Sequence, residues 1–182
     1  MYSELEKHFT KNNKVKVWSD IEDDEETYYG YIVGLTRNFV CLWCVEYWHH
    51  DGFMILPIKH ITEIRHGKNE KTDHRILKLE GRLVDVEKPK WLKIGSYKSI
   101  FKSLEKNYNN VIVESRLPSS DVFVLGKILN IANTEVQIKG FDATGKWEDE
   151  VYIIPFKEIT AVKFGDEYSS IFRKYVLEAV SS

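Results

Sequence analysis

Apolar positions recur at helical spacing in three stretches of the chain and at strand spacing between them. Near the start, Tyr2, Leu5 and Phe9 fall on one helical face, and Ser3-x-x-Glu6 has capping-box spacing. Tyr97, Ile100, Phe101, Leu104 and Tyr108 follow i, i+3, i+4, i+7, i+11, with Ser96 as cap. Tyr168, Ile171, Phe172, Tyr175, Val176 and Ala179 keep the same period behind a capping Asp166, predicting a last helix that covers apolar surface. Short alternating or β-branched runs predict strands at Val15–Trp18, Tyr28–Leu35, Phe39–Tyr47 and Phe53–Leu56. A second set falls at Val111–Glu114, Val122–Ile131, Glu135–Gly140 and Glu150–Ile154, and Asp51-Gly52 and Thr144-Gly145 are turn signals within the two sets.

The two sets are copies of one pattern. Leu5-Glu6-Lys7-His8-Phe9 returns as Leu104-Glu105-Lys106-Asn107-Tyr108, and Gly30-x-Ile32 and Val40-x-Leu42 return as Gly126-x-Ile128 and Val136-x-Ile138. The ends match best: Ile55-Leu56-Pro57-Ile58-x-x-Ile61-x-x-Ile64-x-x-Gly67 lines up with Ile153-Ile154-Pro155-Phe156-x-x-Ile159-x-x-Val162-x-x-Gly165. Proline interrupts a ladder and favours a tight turn, after which Ile61/Ile64 and Ile159/Val162 form a last strand with buried side chains. The fold expected is mainly β with short helices: two tandem five-stranded small barrels, each preceded by a short helix, plus a C-terminal helix. Closure into barrels would remove exposed edges. The boundaries are 1–67 for the first barrel, 68–95 for a basic connector with a hairpin over Arg75–Glu87, and 96–182 for the second barrel with its leading and C-terminal helices.

At these residues the chain resembles the Sm-like and SH3-like class of small barrels. Gly30-x-Ile32 through Leu42 has the spacing of the first Sm motif, and Ile64-Arg65-His66-Gly67 and Val162-Lys163-Phe164-Gly165 are similar to the hydrophobic-basic-Gly of the second. Thr36 stands where the family carries an acidic residue, Phe39-Val40 replaces its Met-Asn pair, and each second motif has one extra residue. The resemblance implies an RNA-binding regulator with Arg65 and Lys163 at the basic positions and Asn38 beside the first motif.

Composition narrows the function classes. The 182 residues are 43% hydrophobic and 30% charged, which is globular, and a net charge of −2 argues against a general polyanion binder. Two cysteines are too few for a disulfide scaffold, and the longest apolar run, Phe39–Val45, is far short of the roughly twenty residues of a membrane helix. With no basic-then-apolar leader at the start, the expectation is a soluble cytoplasmic protein.

Chemistry-bearing motifs are scarce. Cys41-x-x-Cys44 followed by His49-His50 has the look of metal-ligand spacing, but residues three apart in a strand point to opposite faces. No phosphate loop, dinucleotide-binding glycine run or nucleophile elbow is present, and Ser99-x-x-Lys102 and Ser103-x-x-Lys106 lack companion motifs. The expectation is therefore a non-enzyme without metal or cofactor. Its partner is expected to be another protein, with Trp43, Tyr47, Trp48 and Trp147 as aromatic anchors, since Trp and Tyr are enriched in binding hot spots.

Charge patterning supplies the alternatives. Arg65–Lys106 holds twelve Lys/Arg against six Asp/Glu, with Trp91, Tyr97 and Phe101 interspersed. A stripe of Arg75, Lys78, Arg82, Lys88, Lys90 and Lys93 beside Trp91 would suit RNA, unless Glu80, Asp85 and Glu87 pair with it. Asp20–Glu26 reads as an acidic loop, which would suit an immunity or inhibitor protein that occupies a basic site.

Overall fold

The computed structural model describes residues 1–21, 24–83, 86, 88–108, 110–117 and 120–179. The chain divides into two compact units, Met1–Lys90 and Trp91–Ser182.

In the first unit, helix α1 (Tyr2–Thr10) precedes strands β1 (Lys14–Ile21), β2 (Asp24–Leu35), β3 (Phe39–Glu46) and β4 (His49–Pro57). A 3₁₀ turn (Ile58–His60), strand β5 (Ile61–Arg65) and helix α2 (Lys68–Leu79) follow. The strands form an antiparallel sheet in the order β5-β1-β2-β3-β4. Leu5, Val15, Val17, Tyr31, Val40, Cys41 and Leu42 are fully buried and form its core. The second unit repeats the plan. Helix α3 (Tyr97–Asn107) leads into β6 (Asn110–Leu117), β7 (Ser120–Ile131), β8 (Glu135–Phe141) and β9 (Trp147–Pro155). A 3₁₀ turn (Phe156–Glu158), β10 (Ala161–Phe164) and helix α4 (Glu167–Ala179) complete it, with strand order β10-β6-β7-β8-β9.

The matched sequence positions occupy matched places. Pro57 and Pro155 each end the fourth strand of their unit with nearly the same backbone (φ −66°, ψ 127° and φ −62°, ψ 134°). The next amide donates to the β2–β3 or β7–β8 turn, Ile58 N to Asn38 O and Phe156 N to Thr134 O. Gly30 opposes Cys44 and Gly126 opposes Gly140. A Cβ at either would lie 2.1 Å from the Trp43 carbonyl oxygen or 2.0 Å from that of Lys139, so only glycine lets the strands meet there.

The structure corrects several expectations. Each unit shows an open antiparallel sheet, with β5 and β4, and likewise β10 and β9, at opposite ends of its strand order; closure into a barrel is not seen among the described residues. Residues 68–79 are a helix, not part of a hairpin. Its inward positions, Glu70, Asp73, His74 and Leu77, recur at helical spacing but are mostly polar, so a hydrophobic pattern misses them. Glu70 is buried, accepting from Gly67 N (2.7 Å) and from Arg65 Nη2 (2.8 Å) and Nε (3.2 Å). Asp73 pairs with the buried Lys14 at 2.7 Å, and His74 Nδ1 meets the buried Tyr31 hydroxyl at 2.9 Å. The helix thus docks through polar groups satisfied by the sheet.

Helix α1 begins at Tyr2 and is capped by the Met1 carbonyl, so the Ser3-x-x-Glu6 box does not form. Strands β1 and β2 continue into the acidic segment, Asp20 opposing Glu25, so most of the expected loop is ladder; Glu22 and Asp23 lie outside the described residues. Gly52 is not in a turn. It sits inside β4 at φ +73°, where Asp51 and Gly52 together face Cys44 in a bulge, and the reversal is made by Tyr47-Trp48. Thr144-Gly145 does lie in the turn before β9, with Gly145 at φ +79°. Ile61, Ile159 and Val162 are buried, whereas Ile64 is half-buried because its face of the edge strand β5 is only partly covered. Ser96 and Asp166 cap α3 and α4, each accepting from the amide three residues on. Helix α4 packs through Phe172 onto Phe141 (ring centroids 5.5 Å), while Tyr168, Ile171 and Tyr175 stay exposed.

Candidate functional site

The β3–β4 hairpin turns in two residues. Glu46 and His49 still oppose each other, and Tyr47 (φ +43°) and Trp48 (φ +61°) between them both take the left-handed conformation. Positive φ at both central residues is the requirement of a type I′ turn, normally met by Asn-Gly. Large aromatic L-residues are disfavoured there, and such strain persists at sites where it serves binding. Tyr47 is 81% exposed and Trp48 46%. A tight hairpin therefore holds two large aromatic side chains at the surface on a backbone that suits neither.

A cleft of about 320 Å³ lies beside them, lined by Tyr47, Trp48, His49, Ile76, Glu80 and Arg82. Arg82, just past the end of α2, is placed by its own backbone: Arg82 N donates to Leu77 O at 2.8 Å. Its Nη1 reaches back to the Trp48 carbonyl (3.3 Å) and to the His49 ring (2.8 Å to Nδ1). The cleft thus joins the hairpin tip to the helix end within one unit, with aromatic faces, an aliphatic edge and a guanidinium. Its lining also includes the Glu80 carboxylate, and Trp, Tyr and Arg are the residue types enriched in protein-binding hot spots.

The other sequence-predicted residues are dispersed. Trp43 is in the core, stacked on His50 at 4.3 Å and edge-on to Tyr31 at 5.8 Å. Trp147 is half-buried against Phe141 (5.7 Å), and Trp91 packs against Tyr108 (5.6 Å) and Phe164 (6.0 Å). Asn38 is exposed at the β2–β3 turn, where its carbonyl accepts from Ile58 N. Arg65 donates through both Nε and Nη2 to the single oxygen Oε1 of Glu70, and Lys163 is half-buried in β10. Of the proposed basic stripe, Arg75 and Lys78 are exposed on α2 and Arg82 is in the cleft; Asp85 and Glu87 lie outside the described residues.

Cys41 is fully buried, and burial pushes its thiol pKa far up, while Cys44 on the same strand is half-buried. Among the described residues no group of three His, Cys, Asp or Glu side chains gathers as metal ligands. No helix among them is long and apolar enough to cross a membrane.

A basic-aromatic face on β1, β2 and β5 was not anticipated. Lys16 Nζ lies 4.1 Å from the Trp18 ring centre and 5.3 Å from that of Tyr29, and the Arg65 guanidinium carbon is 5.1 Å from Trp18. The alternation Lys14-x-Lys16-x-Trp18 was the signal for it, because alternate residues of a strand share a face. Burial acts to raise the Tyr29 pKa, but Lys16 and Thr27 bonded to its hydroxyl bring it below the ordinary tyrosine value.

Compared with known proteins, the chain matches no family model, no curated protein and no solved structure.

Proposed function

We propose that this chain is a non-catalytic cytoplasmic binding protein whose partner is another protein. The observation that carries the reading is the Tyr47-Trp48 turn: exposed aromatics on a left-handed backbone, beside a cleft that ends in Arg82. Aromatic and arginine side chains grouped around a recess are what protein hot spots are made of. The recurring plan of helix, four strands, proline turn, last strand and helix supports reading the units as tandem modules of the Sm-like or SH3-like small-barrel class. Two such modules raise effective concentration when both engage one partner.

A second reading, an RNA-binding regulator, draws on the Lys16, Trp18, Tyr29 and Arg65 face, where cations lie over rings on which bases also stack. Against it, the Arg65 guanidinium already donates two hydrogen bonds to one oxygen of the buried Glu70 carboxylate. Affinity capture from native lysate, with and without nuclease and across a salt series, separates the two. A protein partner resists nuclease, and its capture is lost in Trp48→Ala. RNA binding instead weakens steeply with log salt and is reduced by Lys16→Ala.

A further inference from the structure

Helix α2 sorts its charges by face. At about 100° per residue, Glu70, Asp73, His74 and Leu77 fall within an arc of about 100°. These positions meet the sheet: Glu70 accepts from Arg65 and Gly67 N, Asp73 pairs with Lys14, and His74 meets Tyr31. Lys68, Lys71, Arg75 and Lys78 fall within about 80° on the outer side. All four are exposed. The carboxylates of the helix are thus turned toward the sheet and matched there, while the charged side chains of its exposed face are all cations.

Helix stability does not select such a row. Lys68 and Lys71 stand in the first turn, where the helix dipole disfavours cations. Lys68 with Lys71, Lys71 with Arg75, and Arg75 with Lys78 set like charges side by side at i, i+3 or i+4 spacing, which also destabilises a helix. Among the described residues none of the four is ion-paired. An anionic ligand relieves the repulsion along the row. The row runs about 15 Å from Lys68 to Lys78. It leads to Leu79, which is 78% exposed, and then to the cleft of Ile76, Arg82 and Trp48.

Charge and spacing select the ligand. The cations call for anions, but Leu79 and Ile76 at the end of the row call for an apolar side chain beside them. A nucleic-acid strand supplies phosphates without that side chain, and as a long polyanion it is repelled by a chain whose net charge is −2. A helix laid along α2 shares its rise per residue, so carboxylates at i, i+3, i+7 and i+10 repeat at the intervals of Lys68, Lys71, Arg75 and Lys78. We propose that α2 and the hairpin tip together bind the acidic face of an amphipathic helix on a partner protein, with its carboxylates along the row and an apolar end in the cleft. The proposal rests on the reading of that cleft as a protein-binding site.

The test uses the full chain, ¹⁵N-labelled, titrated with a short capped helical peptide that carries Glu at i, i+3, i+7 and i+10 and a Leu-Phe pair at one end or the other. A Gln-for-Glu counterpart, an oligouridylate and phosphatidylserine vesicles are the comparison probes. The Glu peptide is expected to shift the α2 and hairpin-tip amides saturably with Kd below ~1 mM, and more weakly as salt is raised. The Gln peptide should bind at least ~10-fold more weakly, as should the Glu peptide to Lys71→Gln/Arg75→Gln/Lys78→Gln. Lys7→Gln/Lys11→Gln, which removes exposed charge from α1, should change affinity less than ~2-fold. Equal binding of the Glu and Gln peptides, no saturable shift up to ~5 mM, equal losses in the α1 and α2 variants, or tighter binding of the oligouridylate or vesicles to α2 would overturn the proposal. If both peptides bind alike and both are lost in Trp48→Ala, the protein-binding reading of the cleft stands and this inference fails. If the Glu peptide shifts α2 but no tip amide, and Trp48→Ala leaves its affinity unchanged, the link to the cleft is refuted. Should the triple variant alter the spectrum of the whole unit, the contrast of Glu with Gln peptide on the unaltered chain decides it.

Discussion

Replacing Tyr47 by Asn and by Ala separates backbone strain from side-chain contact at the hairpin tip. Tyr47 is 81% exposed, so about one fifth of its surface is covered. On a side chain of roughly 200 Å², that is about 40 Å², or ~1 kcal/mol at 25 cal/mol/Å². Both substitutions forfeit this. Left-handed backbone costs an ordinary L-residue ~1–2 kcal/mol, which Ala keeps and Asn largely escapes because its side chain bonds locally. Tyr47→Ala should therefore lose about 1 kcal/mol, and Tyr47→Asn should fall between unchanged and ~1 kcal/mol more stable. The assay is urea unfolding followed by far-UV circular dichroism, with free energies extrapolated linearly. The informative quantity is the Asn-minus-Ala difference, ~1–2 kcal/mol, because the covered area cancels from it. If the two variants agree within ~0.3 kcal/mol, the turn is not strained and the argument from strain to function fails.

Three further outcomes follow from the geometry. Gly126→Ala puts a Cβ 2.0 Å from the Lys139 carbonyl oxygen and should destabilise by roughly 2–4 kcal/mol, whereas Gly95→Ala, whose nearest neighbour is Ser99 Oγ at 3.9 Å, should be near neutral; urea midpoints check both. Ile159→Ala and Val162→Ala, both at fully buried positions, should cost about 2–4 and 1–3 kcal/mol, and near-neutral midpoints would show the proline-turn and last-strand packing to be wrong. His8 and His74 have pKa values lowered first by burial and then by cationic neighbours, His66 among them. Their neutral forms stabilise the fold fully above the unfolded value near 6.5, and that contribution is lost as pH falls below it. Thermal midpoints should drop between about pH 7 and 5, and less so in His74→Gln.

The strands and three of the four helices among the described residues were legible in the sequence because their apolar periodicity is what the sheets and helix faces bury. Ile100, Phe101 and Leu104 are buried as the α3 spacing requires, and the prolines sit where the repeat aligned them. Helix α2 was not legible, because Glu70, Asp73 and His74 face the sheet through an ion pair and hydrogen bonds, which hydrophobic patterning does not register. The hairpin tip was misplaced for a related reason: Gly52 is the stronger turn residue, yet the fold uses its left-handed freedom in a bulge and gives the turn to Tyr47-Trp48. Tyr47 and Trp48 were recognisable as candidate anchors by residue type. What type could not show is that Trp43, on the strand leading into the turn, lies inside, or that Arg82, more than thirty positions on, comes back to His49.

The most direct test of the binding reading is site-specific photo-crosslinking. A benzoylphenylalanine at position 47 preserves an aromatic side chain at the hairpin tip, and irradiation in native lysate traps whatever touches it. The account predicts a discrete protein adduct that survives nuclease, is absent when the same group is placed at exposed Glu6 on α1, and disappears when Trp48→Ala is added. No adduct at position 47, or one that nuclease removes, would contradict it.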